Sequence, residues 1–208
     1  MEQRARWDGL YAGLEPAKEH ESWLERYFPE LEKRRAKPVV DLGCGRGNHS
    51  LWLHARGFAV LACDFSAVAL DSLHAANPDI PAFCFDMLQG FPEALRGAGT
   101  VVASLSTHYF SRQDTQRLYR AVYDLLEPGG ALLLRVNSLQ EFEEKDRPHA
   151  VETLEPDYYR MDDGAVKRYF SEESLKALLP PFERIRLRTD AFTYHGRVKH
   201  FIECLAEK

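Results

Sequence analysis

From residue 38 onward the chain alternates short apolar runs with stretches of helical period, and that alternation predicts the fold. Pro38 stops a preceding helical segment, and Val39-Val40-Asp41-Leu42 reads as a buried strand. A glycine loop follows, then a helix through Leu51, Leu53 and Ala55 that Gly57 closes. Residues 58–63, 81–85, 101–105 and 131–136 supply four further strands. Between them Ser66 caps a helix to about Ala76, and a second helix spans about Arg112 to Leu126. Five strands with intervening helices in about 100 residues require crossover connections, so the sheet is expected to be parallel and the fold α/β.

The flanks have a different texture. Residues 1–37 read as a helical cap, with Trp23, Leu24, Tyr27, Phe28 and Leu31 on one helical stripe despite Pro29. The basic run at 33–37 suits a helix C-terminus, where cations complement the dipole. Beyond residue 137 the pattern lapses into charge. Residues 157–161 and 165–170, on either side of Asp162-Asp163-Gly164, predict a β-hairpin. Ser171 and Ser174 form a capping box that opens a helix, and strands near 182–189 and 199–205 close the chain. The expected organisation is one domain over 1–208: cap 1–37, core 38–136, insert 137–170 and closing elements 171–208.

Composition narrows the function classes. The 208 residues carry a formal charge of −5, are 45% hydrophobic and 28% charged, and so belong to an ordinary globular chain. The mildly acidic balance offers no general attraction to nucleic acid. No run approaches the ~18 apolar residues of a membrane span, and the charged start does not read as a signal peptide. The expectation is a cytoplasmic protein with neither a nucleic-acid nor a membrane partner. Cys44, Cys63, Cys84 and Cys204 are too sparse and spread for a disulfide scaffold or zinc site, and are expected to pack as small apolar residues. No metal is expected.

Candidate chemistry begins at Asp41-Leu42-Gly43-Cys44-Gly45-Arg46-Gly47, where strand becomes helix. Ligands of open α/β sheets bind beyond the carboxyl ends of strands. Glycines there admit close backbone approach, and the helix N-terminus favours an anion. A dinucleotide fingerprint needs its third glycine one position later, where this chain has Asn48. Asp41 also places negative charge where a pyrophosphate would lie. A ligand that is at once carboxylate and cation suits the loop better, and S-adenosylmethionine is one. Two more acids, Asp64 and Asp86, close the second and third strands. Each could also be a turn or cap residue.

Together with Leu126-Glu127-Pro128-Gly129-Gly130, these motifs resemble the ordered motifs of class I S-adenosylmethionine-dependent methyltransferases, strongly over 38–136 and in outline over 169–205. The resemblance implies a doubly wound, mostly parallel seven-stranded Rossmann-like sheet, with a small lid insert after the fifth strand. It implies that Gly43, Cys44 and Gly45 line the methionyl part of the donor and that Asp41 reaches its ammonium. Asp64 would accept from the ribose hydroxyls, and Phe65 would lie against the adenine. Asp86 and the Met87 backbone would address the adenine edge, and Ser104 would face the methionyl amine or the transferring methyl.

Residues 106–110 after strand four are where the family places substrate-facing groups. The signatures of amino-methylating DNA and glutamine methyltransferases and of cytosine C5 methyltransferases are absent there. His108 is the candidate base or anchor, because imidazole titrates near neutrality. Tyr109 is a candidate wall residue, and Arg135, ending an apolar strand, either binds an anionic substrate or pairs with an acid. The stretch 135–138 and the run Lys167-Arg168-Tyr169-Phe170 resemble bacterial small-molecule methyltransferases of the tellurite-resistance type. In that branch Trp7 and Tyr11 of the N-terminal helix and the insert form the lid. The expected function is methyl transfer to a small soluble acceptor by a monomer or homodimer. A protein methyltransferase, a nucleotide-binding dehydrogenase or a non-catalytic S-adenosylmethionine-binding protein remain as alternatives.

Overall fold

A computed structural model describes residues 2–12, 23–194 and 197–208. Seven strands form one sheet: β1 (Val39–Leu42), β2 (Val60–Asp64), β3 (Ala82–Cys84), β4 (Ala98–Ser104), β5 (Leu126–Asn137), β9 (Arg184–Tyr194) and β10 (Arg197–Glu207). Their order is β3-β2-β1-β4-β5-β10-β9. β1 is parallel to β2 and β4, β2 is parallel to β3, and β10 is antiparallel to β9. Every residue of β1 is buried, as a central parallel strand covered on both faces requires. Because β1 has β2 on one side and β4 on the other, the strand order reverses at its carboxyl end, where the glycine loop begins.

The helices are α1 (Glu2–Ala12), α2 (Phe28–Glu32), α3 (Asn48–Ala55), α4 (Ala67–Ala76), α5 (Arg112–Leu125), α6 (Leu139–Glu141) and α7 (Glu172–Leu178). The chain divides into two compact units, Met1–Val102 with Leu125–Ala131 and Ala103–Asp124 with Leu132–Lys208. Among the described residues no helix is long and apolar enough to cross a membrane.

In the first unit the stripe at 23–31 is not one helix. Trp23–Tyr27 is a 3-10 turn that passes into α2 at Phe28, because Pro29 cannot donate to the preceding turn. The continuous cap expected over 1–37 therefore becomes α1, this turn and α2, with residues 13–22 outside the described ones. Phe28 packs edge-on against Trp52 and Phe58, so the stripe still buries its aromatic face. Gly47 precedes α3 with φ +86°, and a Cβ there would lie 2.4 Å from Leu73 Cδ1. Gly47→Ala is therefore expected to destabilise the protein by about 1–3 kcal/mol, through backbone strain and overpacking together, as read by urea denaturation.

In the second unit α5 buries Leu118, Tyr119, Val122 and Leu125, the helical spacing its sequence announced. The predicted hairpin forms as β7 (Tyr158–Met161) and β8 (Val166–Arg168). β6 (Ala150–Glu155) adds a third, antiparallel strand that the sequence reading did not anticipate. β6 escaped notice because no residue of it is fully buried, so it carries no apolar alternation. The Ser171–Ser174 capping box opens α7 as expected. Cys44, Cys63 and Cys204 are buried free thiols, whereas Cys84, expected to pack, is exposed because β3 is an edge strand with little cover.

Candidate functional site

The glycine loop is held by the next strand. Gly43 and Cys44 donate their backbone N–H groups to Cys63 O at 2.7 and 2.9 Å, and Gly45 N donates to Asp64 Oδ2 at 2.8 Å. Gly43, Gly45 and Gly47 all have positive φ, a conformation that side chains resist. Asp64 also accepts from Ser66 N through Oδ1, at 2.9 Å. Both of its oxygens thus fix backbone at two adjacent strand ends. Burial raises its pKa, while the Ser66 and Gly45 N–H groups oppose that shift.

Asp41 lies deeper, 1% exposed, and accepts from Ser50 Oγ at 2.6 Å. Burial pushes its pKa up to about 7, and the Asp64 charge adds to the rise. The same burial, with both acids nearby, raises the Cys44 and Cys63 thiols, so neither is a thiolate at neutral pH. Neither acid has a cationic partner among the described residues.

Phe65 and Asp86 sit at the ends of the neighbouring strands. Asp86 Oδ1 accepts from Leu88 N at 2.9 Å and caps the 3-10 turn Met87–Gln89, leaving Asp86 and Met87 half-buried. α1 leans on this region. The Tyr11 ring approaches Gly45 so closely that a Cβ there would meet Tyr11 Oη at 2.9 Å. Asp8 accepts from Ser66 Oγ, the Arg4 guanidinium lies 5.9 Å from the Phe65 ring centroid, and Trp7 stacks on Tyr11.

In the second unit β4 ends at the half-buried Ser104, and Leu105 follows with φ 55°, a costly conformation for a leucine. Leu105 N donates to Arg135 O at 2.8 Å, which fixes the turn into residues 106–110. The insert clamps that turn. Arg168 donates from its backbone N to His108 O at 2.7 Å and from Nε to Phe110 O at 3.1 Å, and Tyr158 Oη donates to Tyr109 O at 3.0 Å. His108 is 2% exposed, lies against the Tyr109 ring, and its buried Nδ1 has no partner among the described residues. Burial drives its pKa well below the usual value, and Lys199 and Lys167 push the same way. The imidazole is neutral at pH 7. Arg135 pairs with Glu203 at 3.3 Å and stacks 3.8 Å from the centre of the Phe201 ring.

Comparison with known proteins agrees with this geometry. A family described as a methyltransferase domain matches residues 39–130, the stretch that holds the glycine loop and all three acids. Residues 39–130 carry a methyltransferase domain of that family, and the chain is similar to S-adenosylmethionine-dependent methyltransferases of class I. A protein of Geobacillus sp. (strain WCH70), named as a methyltransferase, is 24% identical over 196 residues, covering 81% of this chain and 78% of the relative. The crystal structure of an S-adenosylmethionine-dependent methyltransferase from Anabaena variabilis superimposes with a TM-score of 0.74 at 19% identity, over 99% of this chain and 93% of that one. TehB from Haemophilus influenzae does so with a TM-score of 0.65 at 18% identity, over 88% and 62%.

The residues around the glycine loop suit S-adenosylmethionine, the donor that this family implies. Asp41 and Asp64 are buried acids with no cationic partner among the described residues, as a donor carrying a sulfonium and an ammonium would require, and the buried Arg46 Nη1 and Asn48 Oδ1 beside the glycine loop have no partner among the described residues either. Sequence reasoning located Asp41, Gly43, Cys44, Gly45, Asp64, Phe65, Asp86 and Met87, which the first unit gathers on adjacent strand ends. It missed Ser50, which holds Asp41, and Arg46. Their only signal was position on the loop and the helix after it. In the second unit it found His108, Tyr109 and Arg135 but missed Arg168 and Tyr158, whose hydrogen bonds hold the turn at 108–110.

Proposed function

We propose that this methyltransferase acts on a small soluble molecule. The observation that carries the reading is the clamp on residues 108–110. The three backbone carbonyls there, of His108, Tyr109 and Phe110, each accept a hydrogen bond from Arg168 or Tyr158 of the insert. A protein methyltransferase needs an open groove for a polypeptide, and a histidine 2% exposed on such a turn does not offer one. The acidic insert also disfavours polyanionic acceptors such as nucleic acid.

Bound S-adenosylmethionine supplies a methyl group already activated on a sulfonium, so the chain need not provide a nucleophile. Its residues hold and orient. Asp41 and Asp64 balance the donor's positive charge, with Asp64 also taking the ribose hydroxyls. Gly43, Cys44 and Gly45 admit the methionyl backbone, and Arg46 offers its free N–H to the carboxylate. Phe65, Asp86 and the Met87 backbone receive the adenine. Positioning of this kind is worth about 7–11 kcal/mol of a barrier. His108, neutral and fixed by the insert, serves as a polar anchor and proton acceptor for the acceptor molecule, with Tyr109 as its wall.

The test is calorimetry with S-adenosylhomocysteine and NAD, followed by isotope-labelled methyl transfer to fractionated extract. Binding of S-adenosylhomocysteine without NAD, and label in the low-mass fraction, are the expected results. Label confined to protein would overturn the acceptor class, and NAD binding alone would overturn the donor assignment.

A further inference from the structure

Within the first unit, α1 rests on the residues proposed to hold the donor. Arg4, Trp7, Asp8 and Tyr11 fall at i, i+3, i+4 and i+7, one stripe of the helix. The Tyr11 ring lies against Gly45, Trp7 stacks on Tyr11, Asp8 Oδ1 accepts from Ser66 Oγ, and Arg4 reaches the Phe65 ring. Trp7, Asp8 and Tyr11 are half-buried, and no described side chain of α1 is fully buried. An 11-residue helix with Gly9 in its interior has little stability of its own, so its place depends on what that stripe touches.

Ser66 joins two carboxylates. Its N–H donates to Asp64 Oδ1 at 2.9 Å and its hydroxyl donates to Asp8 Oδ1, so an acid of α1 and the acid that ends β2 are held on one residue. Neither pairs with a cation among the described residues. Asp64 has given one lone pair of each oxygen to a backbone N–H, from Ser66 and from Gly45. Asp8 Oδ2 takes no hydrogen bond among the described residues. Burial is the larger cause of the raised Asp64 pKa, and the Asp8 charge adds to it. The two acids are therefore close enough to repel, with acceptor capacity left on both.

We infer that Asp8 is a second carboxylate for the donor's ribose, taking one of the two vicinal hydroxyls while Asp64 takes the other, and that docking of α1 is thereby coupled to donor binding. This rests on the donor site proposed above and deepens it. A vicinal diol carries two O–H donors, and two carboxylates held on one serine offer it two acceptors. Hydroxyl-to-carboxylate hydrogen bonds are among the stronger ones, and a diol between the acids gives their like charges a shared partner. Because the diol belongs to the donor and Asp8 to α1, each favours the bound state of the other by the same factor. Tyr11 at Gly45 and Arg4 at Phe65 continue the stripe along the residues assigned to the methionyl and adenine ends.

The experiment uses the full chain and two probes, S-adenosylhomocysteine and its 2′,3′-dideoxy analogue, read by calorimetry and by amide hydrogen exchange of residues 2–12. S-adenosylhomocysteine is expected to slow exchange in α1, and the dideoxy analogue to bind more weakly and slow it less. Asparagine keeps an acceptor for Ser66 Oγ, and Asp8 is half-buried on a helix of exposed and half-buried side chains, so Asp8→Asn keeps the fold. It should bind S-adenosylhomocysteine about fivefold or more weakly, bind the dideoxy analogue as wild type does, and lose most of the slowing. A Cβ at Gly9 meets nothing within 4 Å, so Gly9→Ala firms α1 and should tighten S-adenosylhomocysteine about two- to fivefold. Equal losses for both probes in Asp8→Asn would make Asp8 a structural contact and overturn the inference. Undiminished S-adenosylhomocysteine binding by Asp8→Asn would overturn it too, as would α1 exchange indifferent to that ligand or unchanged affinity in Gly9→Ala. Asp64→Asn is the control: wild-type affinity there is the separate failure of the donor site on which this rests.

Discussion

Asp41→Asn is expected to stabilise the ligand-free protein at pH 8 while weakening its hold on the donor. Asp41 ordinarily titrates at 3.8, and burial moves it to about 7 in the fold. The native state therefore binds more protons than the unfolded chain between those values, and stability falls as pH rises through that window. A shift of that size corresponds to about 4 kcal/mol, present as a deficit above pH 7 and absent below pH 4. Asparagine can still accept from Ser50 but carries no charge. Urea denaturation of the ligand-free variant should thus match wild type at pH 4 and exceed it by about 4 kcal/mol at pH 8. Its affinity for S-adenosylhomocysteine should fall at least tenfold at pH 8, since a buried ammonium loses its ionised partner. Equal stability of the two proteins at both pH values would show that Asp41 is ionised without penalty and would remove it from this role. The cost is that of burying a carboxylate away from water, and a cationic ligand would offset it.

The second large effect is at Asp64. Asp64→Ala removes the acceptor of Gly45 N and of Ser66 N in a buried setting, as well as the proposed partner of the ribose. Lost hydrogen bonds to a charged group cost about 1.5–3 kcal/mol of donor affinity, and each stranded backbone N–H adds about 1–3 kcal/mol of instability. Affinity for S-adenosylhomocysteine should fall ten- to a hundredfold, with a lowered melting temperature. Asp64→Asn retains one acceptor and should fold better while still binding poorly. Wild-type affinity in a folded Asp64→Asn would exclude Asp64 from the donor site.

These two acids also show how far the sequence could be read. Asp41 and Asp64 were visible because each ends an apolar run, and a carboxylate at the end of a buried parallel strand is chemically conspicuous. Their difference was not visible. Asp64 spends both oxygens on backbone N–H groups, while Asp41 depends on Ser50, nine residues on and one turn into α3. The acceptor side was less legible still. His108 and Arg135 could be named, but the pairing of Arg135 with Glu203 and the exposed, patternless strand β6 could not.

Sequence alone determined the alternation of strand and helix, the switch-point loop and the class of donor, because hydrophobic period and glycine spacing are local properties of the chain. Tertiary structure alone decided which charges are paired and which are left over. Arg135 and Glu203 are 68 residues apart in sequence, and their pairing exists only once β5 and β10 lie side by side in the sheet. Burial and neighbouring charge, which raise the pKa of Asp41 to about 7, are properties of that packing and have no local signature.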